Sequence, residues 1–284
     1  MLIAQVTDVH LGFVPDDPDE PNRRRIDAVL AALGAMDPPP DMLFATGDLV
    51  DRGDDAASYA RVRDALAVAP CPVHLMLGNH DSREPFRHAF PGAPMADGFA
   101  QFVVEAGTLR CVALDTLEEG RHGGAFCARR AAWLSDTLDA EPDRPTLILL
   151  HHPPCRTGIA WMDADPAEPW VARLAAVLEG RGNVVALLAG HVHRAVSTRW
   201  MGLPVVICPP SSPEVALELR PIDPDAPDGR AMIVDAPPAY ALHHWDGERL
   251  LTHFVAAEAR TVLARFDEGM RPLVRDMLAE RPPA

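Results

Sequence analysis

The chain has 284 residues, 48% hydrophobic and 24% charged, a composition that suits one sizeable domain or a domain with a smaller appendage. Its formal net charge of -15 makes a surface that repels phosphate backbones, which argues against a nucleic-acid polymer held in a basic groove. A small anionic substrate stays compatible, because a metal site reverses the sign of the local field.

The opening MLIAQVTDVHLG lacks a basic region, an apolar stretch and a cleavage site in succession, so it reads as a first strand rather than a leader. In RRRIDAVLAALGAM, Ile26, Val29, Leu30 and Leu33 stand at helical spacing, and Pro38 to Pro40 stop the helix. MLFATGD then reads as a strand, DAASYARVRDALAV as a helix and VHLMLGNHD as a strand. That alternation predicts parallel pairing with crossover helices. FAQFVVEAGTLRCVALDT reads as a hairpin around Gly107, and RRAAWLSDTLDA returns to helix. PTLILLHH is a buried strand, EPWVARLAAVLEGRG a helix ending at Gly180 or Gly182, and NVVALLAGHVH another strand. VSTRWMGLPVVIC turns near Gly202 as a second hairpin.

From Pro209 to Pro238 the chain is rich in proline and aspartate without periodicity, as functional or disordered loops are. YALHHWDGERLLTHFVA is a hairpin turning at Asp246-Gly247, and the tail from Glu258 to Ala284 carries a weak helical pattern. No span approaches the roughly 20 apolar residues that cross a bilayer. Cys71, Cys111, Cys127, Cys155 and Cys208 are odd in number and scattered, with no C-x-x-C, so free thiols in the cytoplasm are expected. The same scatter argues against a thiolate metal site.

Five strands end in residues able to hold a metal. The first ends in Asp8 and His10, the second in Gly47-Asp48, the third in Gly78-Asn79-His80-Asp81, a later one in His151-His152, and the next in Gly190-His191-Val192-His193. Each alone reads more readily as a polar turn. Ligands in open α/β sheets bind outside the carboxyl ends of strands, so the five sets together predict one site. Imidazoles and carboxylates suit Mn, Fe, Co, Zn or Ni, and the ligands suffice for two ions. Two such ions about 3.5–4 Å apart clamp an in-line displacement at phosphorus and acidify the attacking water. Asp48 is the natural bridge, since the preceding glycine lets the backbone come close.

The ordered set D-x-H, G-D, G-N-H-D, H and G-H-x-H resembles the calcineurin-like metallophosphoesterase superfamily. The forms GDLVDRG, GNHD and HHPP, with HHPPCRTGIAWMD and YALHHWDGERLLTHF, resemble its bacterial class III cyclic-nucleotide phosphodiesterase and glycerophosphodiesterase branch. The motifs run from Asp8 to His193, and the likeness extends weakly to His253. The resemblance implies a sandwich of two mixed β-sheets flanked by helices. It implies one metal on Asp8, His10, Asp48 and His193, and another on Asp48, Asn79, His151 and His191, with His152 as the alternative to His151. It assigns His80 to the phosphate and the leaving oxygen. The metals implied are two divalent or mixed-valence ions, Mn, Fe, Zn or Co.

Residues 1–208 are then expected to form the catalytic core, and 209–284 to complete it, capping the site or making an oligomer contact. The implied reaction is hydrolysis of a small phosphodiester, a cyclic nucleotide or a glycerophosphodiester, by a hydroxide held between the ions, with no nucleic-acid polymer or membrane as partner. A monoesterase would need cations such as Arg83 or Arg156 on the phosphate, and a scaffold would lack ligands. Asp51 and Arg52 read as loop-fixing residues, and Asp81 as either a histidine-orienting group or a cap. His243, His244 and His253 read as packing or surface residues. Trp161 reads as either a stacking surface or a packing residue.

Overall fold

The computed structural model describes residues 1–281. Thirteen strands and six helices follow the chain: β1 (Leu2–Val6), α1 (Pro21–Gly34), β2 (Met42–Thr46), α2 (Ala56–Leu66), β3 (Val73–Met76), α3 (Arg83–Ala89), β4 (Phe102–Ala106), β5 (Leu109–Ala113), α4 (Ala128–Ala140), β6 (Thr146–Leu149), α5 (Pro169–Leu178), β7 (Val184–Ala189), β8 (Val196–Trp200), β9 (Leu203–Ile207), β10 (Glu214–Val215), β11 (Ile233–Val234), β12 (Ala239–Trp245), β13 (Leu250–Ala256) and α6 (Arg271–Ala279). Two large sheets result, ordered β13-β12-β1-β2-β3 and β4-β5-β6-β7-β9-β8. Both are mixed. β1, β2 and β3 run parallel, as do β5, β6, β7 and β9, while β12, β13, β4 and β8 join antiparallel.

The central strands β2, β6 and β7 are apolar on both faces because both faces are covered. In β2, Met42 and Phe44 point into the layer between the sheets, while Leu43 and Ala45 meet the layer that contains Ile26, Leu30 and Tyr59. In β6, Leu147 and Leu149 face the first sheet, and Ile148 packs with Leu134 and Leu174 of α4 and α5. A period of two along a strand thus feeds two different cores. Gly180, at φ +75°, follows the end of α5.

Three features depart from the linear reading. β12 pairs antiparallel with β1, Leu2 opposite His244, so the late hairpin extends the first sheet. The proline-rich segment contains a two-residue ribbon, Glu214–Val215 against Ile233–Val234. A short helix, α3, follows the Gly-Asn-His-Asp motif, where the sequence showed too few turns for periodicity to register.

Candidate metal centre

The carboxyl ends of β1, β2, β3, β6 and β7 meet at one edge of the sandwich, three from the first sheet and two from the second. The backbone there is tightly wound. Asp8, His10, Asp48, His191 and His193 all have φ between 50° and 72°, a region that non-glycine residues seldom occupy. Such strain survives only where neighbours determine the conformation, and it gathers at functional sites. Here Val9 and His10 both donate backbone N–H groups to the Asp48 carbonyl, at 2.8 and 3.0 Å. Gly47 and Gly78 make the close approach feasible: a Cβ on Gly47 would lie 2.5 Å from His151 Nδ1, and one on Gly78 2.3 Å from Asp48 Oδ1.

The side chains converge. Asp48 Oδ1 accepts the His80 N–H at 2.8 Å, while Oδ2 lies 3.3 Å from His151 Nε2 and 3.6 Å from His10 Nε2. His10 Nε2 and His193 Nε2 are 3.1 Å apart, and His193 Nε2 is 3.4 Å from Asp8 Oδ1. Asn79 Oδ1 lies 2.9 Å from His191 Nδ1 and 3.3 Å from His151 Nε2. Asp8, His10, Asp48 and His193 can all present a ligand atom to one point. Asn79, His151 and His191 gather on the other side of Asp48.

The rear atoms of several rings decide their tautomers. His151 Nδ1 sits 2.8 Å from the Thr46 carbonyl and His193 Nδ1 2.9 Å from the Pro213 carbonyl. A carbonyl only accepts, so each Nδ1 carries a proton and each Nε2 faces the site, free to give a lone pair once it is deprotonated. His80 Nδ1 likewise donates to the Asp51 carbonyl at 2.8 Å, leaving Nε2 for the cavity. Asp8 Oδ1 is buried without a hydrogen-bond partner. Lone pairs turned toward each other around an orphaned carboxylate oxygen are the donor set of a cation site, so these residues fit a pair of divalent ions.

Electrostatics follow from that crowding. Burial alone would raise Asp48, but the charge and hydrogen bond of His151, with His10, hold it well below the ordinary carboxylate range. Burial raises Asp8 most strongly, but His193, by charge and hydrogen bond, and His151 together bring it down to about 2. Burial lowers His151 most strongly, yet Asp48, Asp8 and the Thr46 carbonyl together lift the imidazole to about 9. The carboxylates are therefore ionised at neutral pH, and His151 holds a proton in the cation's place.

Two further groupings border this cluster, Asp51 with His10 and His80, and His152 with His151 and His191, while the other singled-out residues serve elsewhere. Among the described residues Asp81 hydrogen-bonds no histidine side chain: it accepts the backbone N–H groups of Gly78, Leu49 and Val50, tying two ligand loops together. Asp51 holds His80 through its carbonyl. Arg83 forms a bidentate pair with Asp115, at 2.8 and 2.7 Å, and also donates to the Leu117 carbonyl, so it is not free to grip a phosphate. Arg156 is exposed, and Cys155 is buried in the second sheet's helix-side core. His243 is buried in the hairpin, His244 is exposed, and His253 is exposed on β13. His122 was not singled out in the sequence: its Nδ1 lies 3.5 Å from Asn79 Nδ2 and its ring centroid 6.1 Å from that of His80. It stands in the loop before α4, at no strand end, and only the glycines of Gly-Arg-His-Gly-Gly hinted at a close approach.

The family model described as calcineurin-like phosphoesterase matches residues 1–195. A probable glycerophosphodiester phosphodiesterase, GpdQ, of Arcobacter nitrofigilis is 30% identical over 257 residues, covering 89% of this chain and 91% of that protein. A probable cyclic nucleotide phosphodiesterase of Rhodopseudomonas palustris is 36% identical over 239 residues, covering 81% and 82%. Among solved structures, a dimetal phosphatase from Danio rerio superposes with a TM-score of 0.67 at 15% identity over 91% of this chain and 96% of that one, a likeness of fold.

Proposed function

The chain belongs to the calcineurin-like phosphoesterase family, and from that premise we propose that it hydrolyses small phosphodiesters at a two-metal centre. Asp8, His10, Asp48 and His193 would hold one ion, and Asp48, Asn79, His151 and His191 the other, with Asp48 shared. Support for His151 over His152 comes from its Nε2, 3.3 Å from both Asp48 and Asn79, whereas His152 turns Nδ1 to Thr116. The ions, when bound, supply Lewis acidity that acidifies water and neutralises charge on the phosphate. Nitrogen and oxygen donors favour Mn, Fe, Zn or Co as their identity.

The protein's own groups do the rest. His80 is fixed through Nδ1 and offers Nε2 at the centre, where it would hydrogen-bond a phosphate oxygen and pass a proton to the leaving alcohol. His122, against Asn79, would take a further oxygen. One observation carries the choice of diester over monoester: of the two arginines that could grip a dianion, Arg83 is already paired and Arg156 is exposed. The chain contains no lysine, and Arg83 is locked to Asp115. Two dications less two aspartates would leave a positive well that attracts an anionic phosphate. The five free cysteines support a cytoplasmic setting.

The test compares bis(p-nitrophenyl) phosphate with p-nitrophenyl phosphate as substrates of the Mn- or Zn-loaded protein. The diester should be preferred. A clear monoester preference would reverse the ranking, and fewer than two ions bound at saturation with no turnover would favour a scaffold.

A further inference from the structure

Three fully buried polar side chains, Gln5 of β1, Thr46 of β2 and His243 of β12, stand in the layer between the two sheets, on the strand faces that also carry Ile3, Phe44 and Trp245. Gln5 Nε2 donates to Thr46 Oγ1 at 2.9 Å and, across the layer, to the Ala189 carbonyl of β7 at 3.0 Å. Gln5 Oε1 lies 3.0 Å from His243 Nε2, and His243 Nδ1 lies 2.8 Å from Thr252 Oγ1 on β13. Thr46 Oγ1 donates in turn to the Val6 carbonyl at 3.3 Å.

These bonds run in one direction only. A carbonyl only accepts, so the amide turns its NH2 group to Ala189 and its oxygen to His243. The ring, kept neutral by burial, therefore carries its proton on Nε2 and takes the Thr252 hydroxyl proton on Nδ1. Both amide protons, the amide oxygen and both ring nitrogens are used.

Each arm of the amide leads toward a ligand. The Thr46 carbonyl holds His151 Nδ1 at 2.8 Å, and Ala189 leads directly into Gly190 and His191. Both ligand sets draw on both sheets: Asp8, His10, Asp48 and Asn79 follow strands of the first, and His151, His191 and His193 follow strands of the second. The separation of the sheets at this edge therefore sets how far the ligands stand apart. The approach is close, since a Cβ on Gly190 would lie 2.0 Å from Thr7 Oγ1. An amide is also a poor choice if stability alone is at stake, because apolar groups of the same shape are about as stabilising as a buried polar pair. A fully satisfied network instead rigidifies its surroundings and specifies one arrangement.

We propose that Gln5 is a positioning residue for the metal centre: its amide ties β1 to Thr46 and to Ala189 of the opposite sheet, fixing the spacing of the ligands that the two sheets supply, while His243 and Thr252 of the late hairpin set its orientation. The inference rests on the two-metal reading above. Gln5 itself meets neither ion nor substrate and acts through Thr46 and Ala189.

The test uses the full chain, both metal-free and loaded with Mn. Gln5→Met keeps the length of the side chain without its polar atoms. Its kcat for bis(p-nitrophenyl) phosphate should fall about ten-fold with KM little changed, a loss usual when support behind a ligand is removed. In the metal-free protein, the ¹⁵N signal of His151 Nδ1–H should shift and its proton exchange faster. Gln5→Met with His243→Phe removes the amide and its ring partner together, so Tm should recover relative to Gln5→Met while kcat stays low. Ile3→Val, in the same layer, should leave kcat and the His151 signal unchanged. Recovery of kcat along with Tm in the double variant, an unchanged kcat and His151 signal in Gln5→Met, or an equal loss in Ile3→Val would overturn the assignment. Should the Gln5 variants fail to fold, amide exchange in the wild-type protein decides. Protection of both Gln5 Nε2 protons supports the tie, and exchange at the rate of a free amide overturns it. Wild-type protein that binds fewer than two Mn ions and turns over no diester would instead sink the two-metal reading, while the metal-free spectra would still report on Gln5.

Discussion

At the scale of single residues, the site is a set of lone pairs aimed by the atoms behind them. His151 and His193 face inward because Thr46 and Pro213 carbonyls take their other protons. His191 and His193, one residue apart, turn to different partners, Asn79 and Asp8. His191→Ala and His193→Ala are therefore expected to weaken different ions, read by metal titration with element analysis; loss of the same ion first in both would refute the division. His151 sets a pH dependence. Its raised value of about 9 means the proton is present at neutral pH and must leave when a metal binds, so affinity should rise as pH climbs toward 9. Calorimetry in buffers of different ionisation enthalpy should show proton release at pH 7.

His243 works in the opposite sense, far from any ligand. Burial pushes it down to about 3, and it bonds Gln5 Oε1 and Thr252 Oγ1 as a neutral ring. The unfolded chain takes up that proton near 6.5, and the folded protein refuses it until about 3. Its contribution is complete above 6.5 and declines as pH falls from 6.5 toward 3. Urea unfolding of wild type and His243→Gln should show the variant losing about 2 kcal/mol less between pH 7.5 and 5. The motif residues stand out in the sequence because their order is unusual. His122 and Thr116 do not, because what brings them to the site is the packing of a loop.

At the scale of elements, the proline-rich loop is a brace for a ligand. Arg25, from α1, donates to the carbonyls of Ser211 and Ser212 at 2.8 and 3.0 Å, to that of Ala236, and to Asp235. Ser211 and Ser212 in turn donate backbone N–H groups to Thr7 and Asp8 carbonyls, and Pro213 holds His193. Arg25→Ala should loosen this chain of contacts and weaken the ion on His193 by about 10–100-fold, the usual consequence of losing support behind a ligand. The ion on His191 should be spared, and equal weakening of both would argue for general unfolding. The strands around the site were legible because burial on both faces makes them continuous apolar runs. The brace was not, since a single arginine on α1 reaches across some 186 residues of sequence to reach it.

At the scale of the molecule, what the sequence leaves open is which sheet each strand joins. Apolar runs in β1 and β12 look alike, and only the pairing of Leu2 with His244 closes the first sheet through residues from opposite ends of the chain. The two-sheet sandwich was therefore readable from the motif resemblance rather than from periodicity, which by itself suggested a parallel sheet for the first half. The tail shows the converse. α6 has no buried residue, and Val262, Leu263, Phe266, Leu273, Met277 and Leu278 are exposed, while among the described residues the three apolar cores draw on nothing beyond Ala257. A stretch that buries so little apolar surface contributes little to folding stability. Ending the chain after Ala257 should leave diester turnover and metal content intact and move Tm by no more than about 3 °C, the shift of roughly 1 kcal/mol in a protein of this size. Ending it after Val234 would remove β12 and β13 from the first sheet, uncover β1, and abolish cooperative unfolding. A tail deletion as damaging as the hairpin deletion, in calorimetric scans of the two, would mean that residues 258–281 hold the fold together through contacts with a second copy.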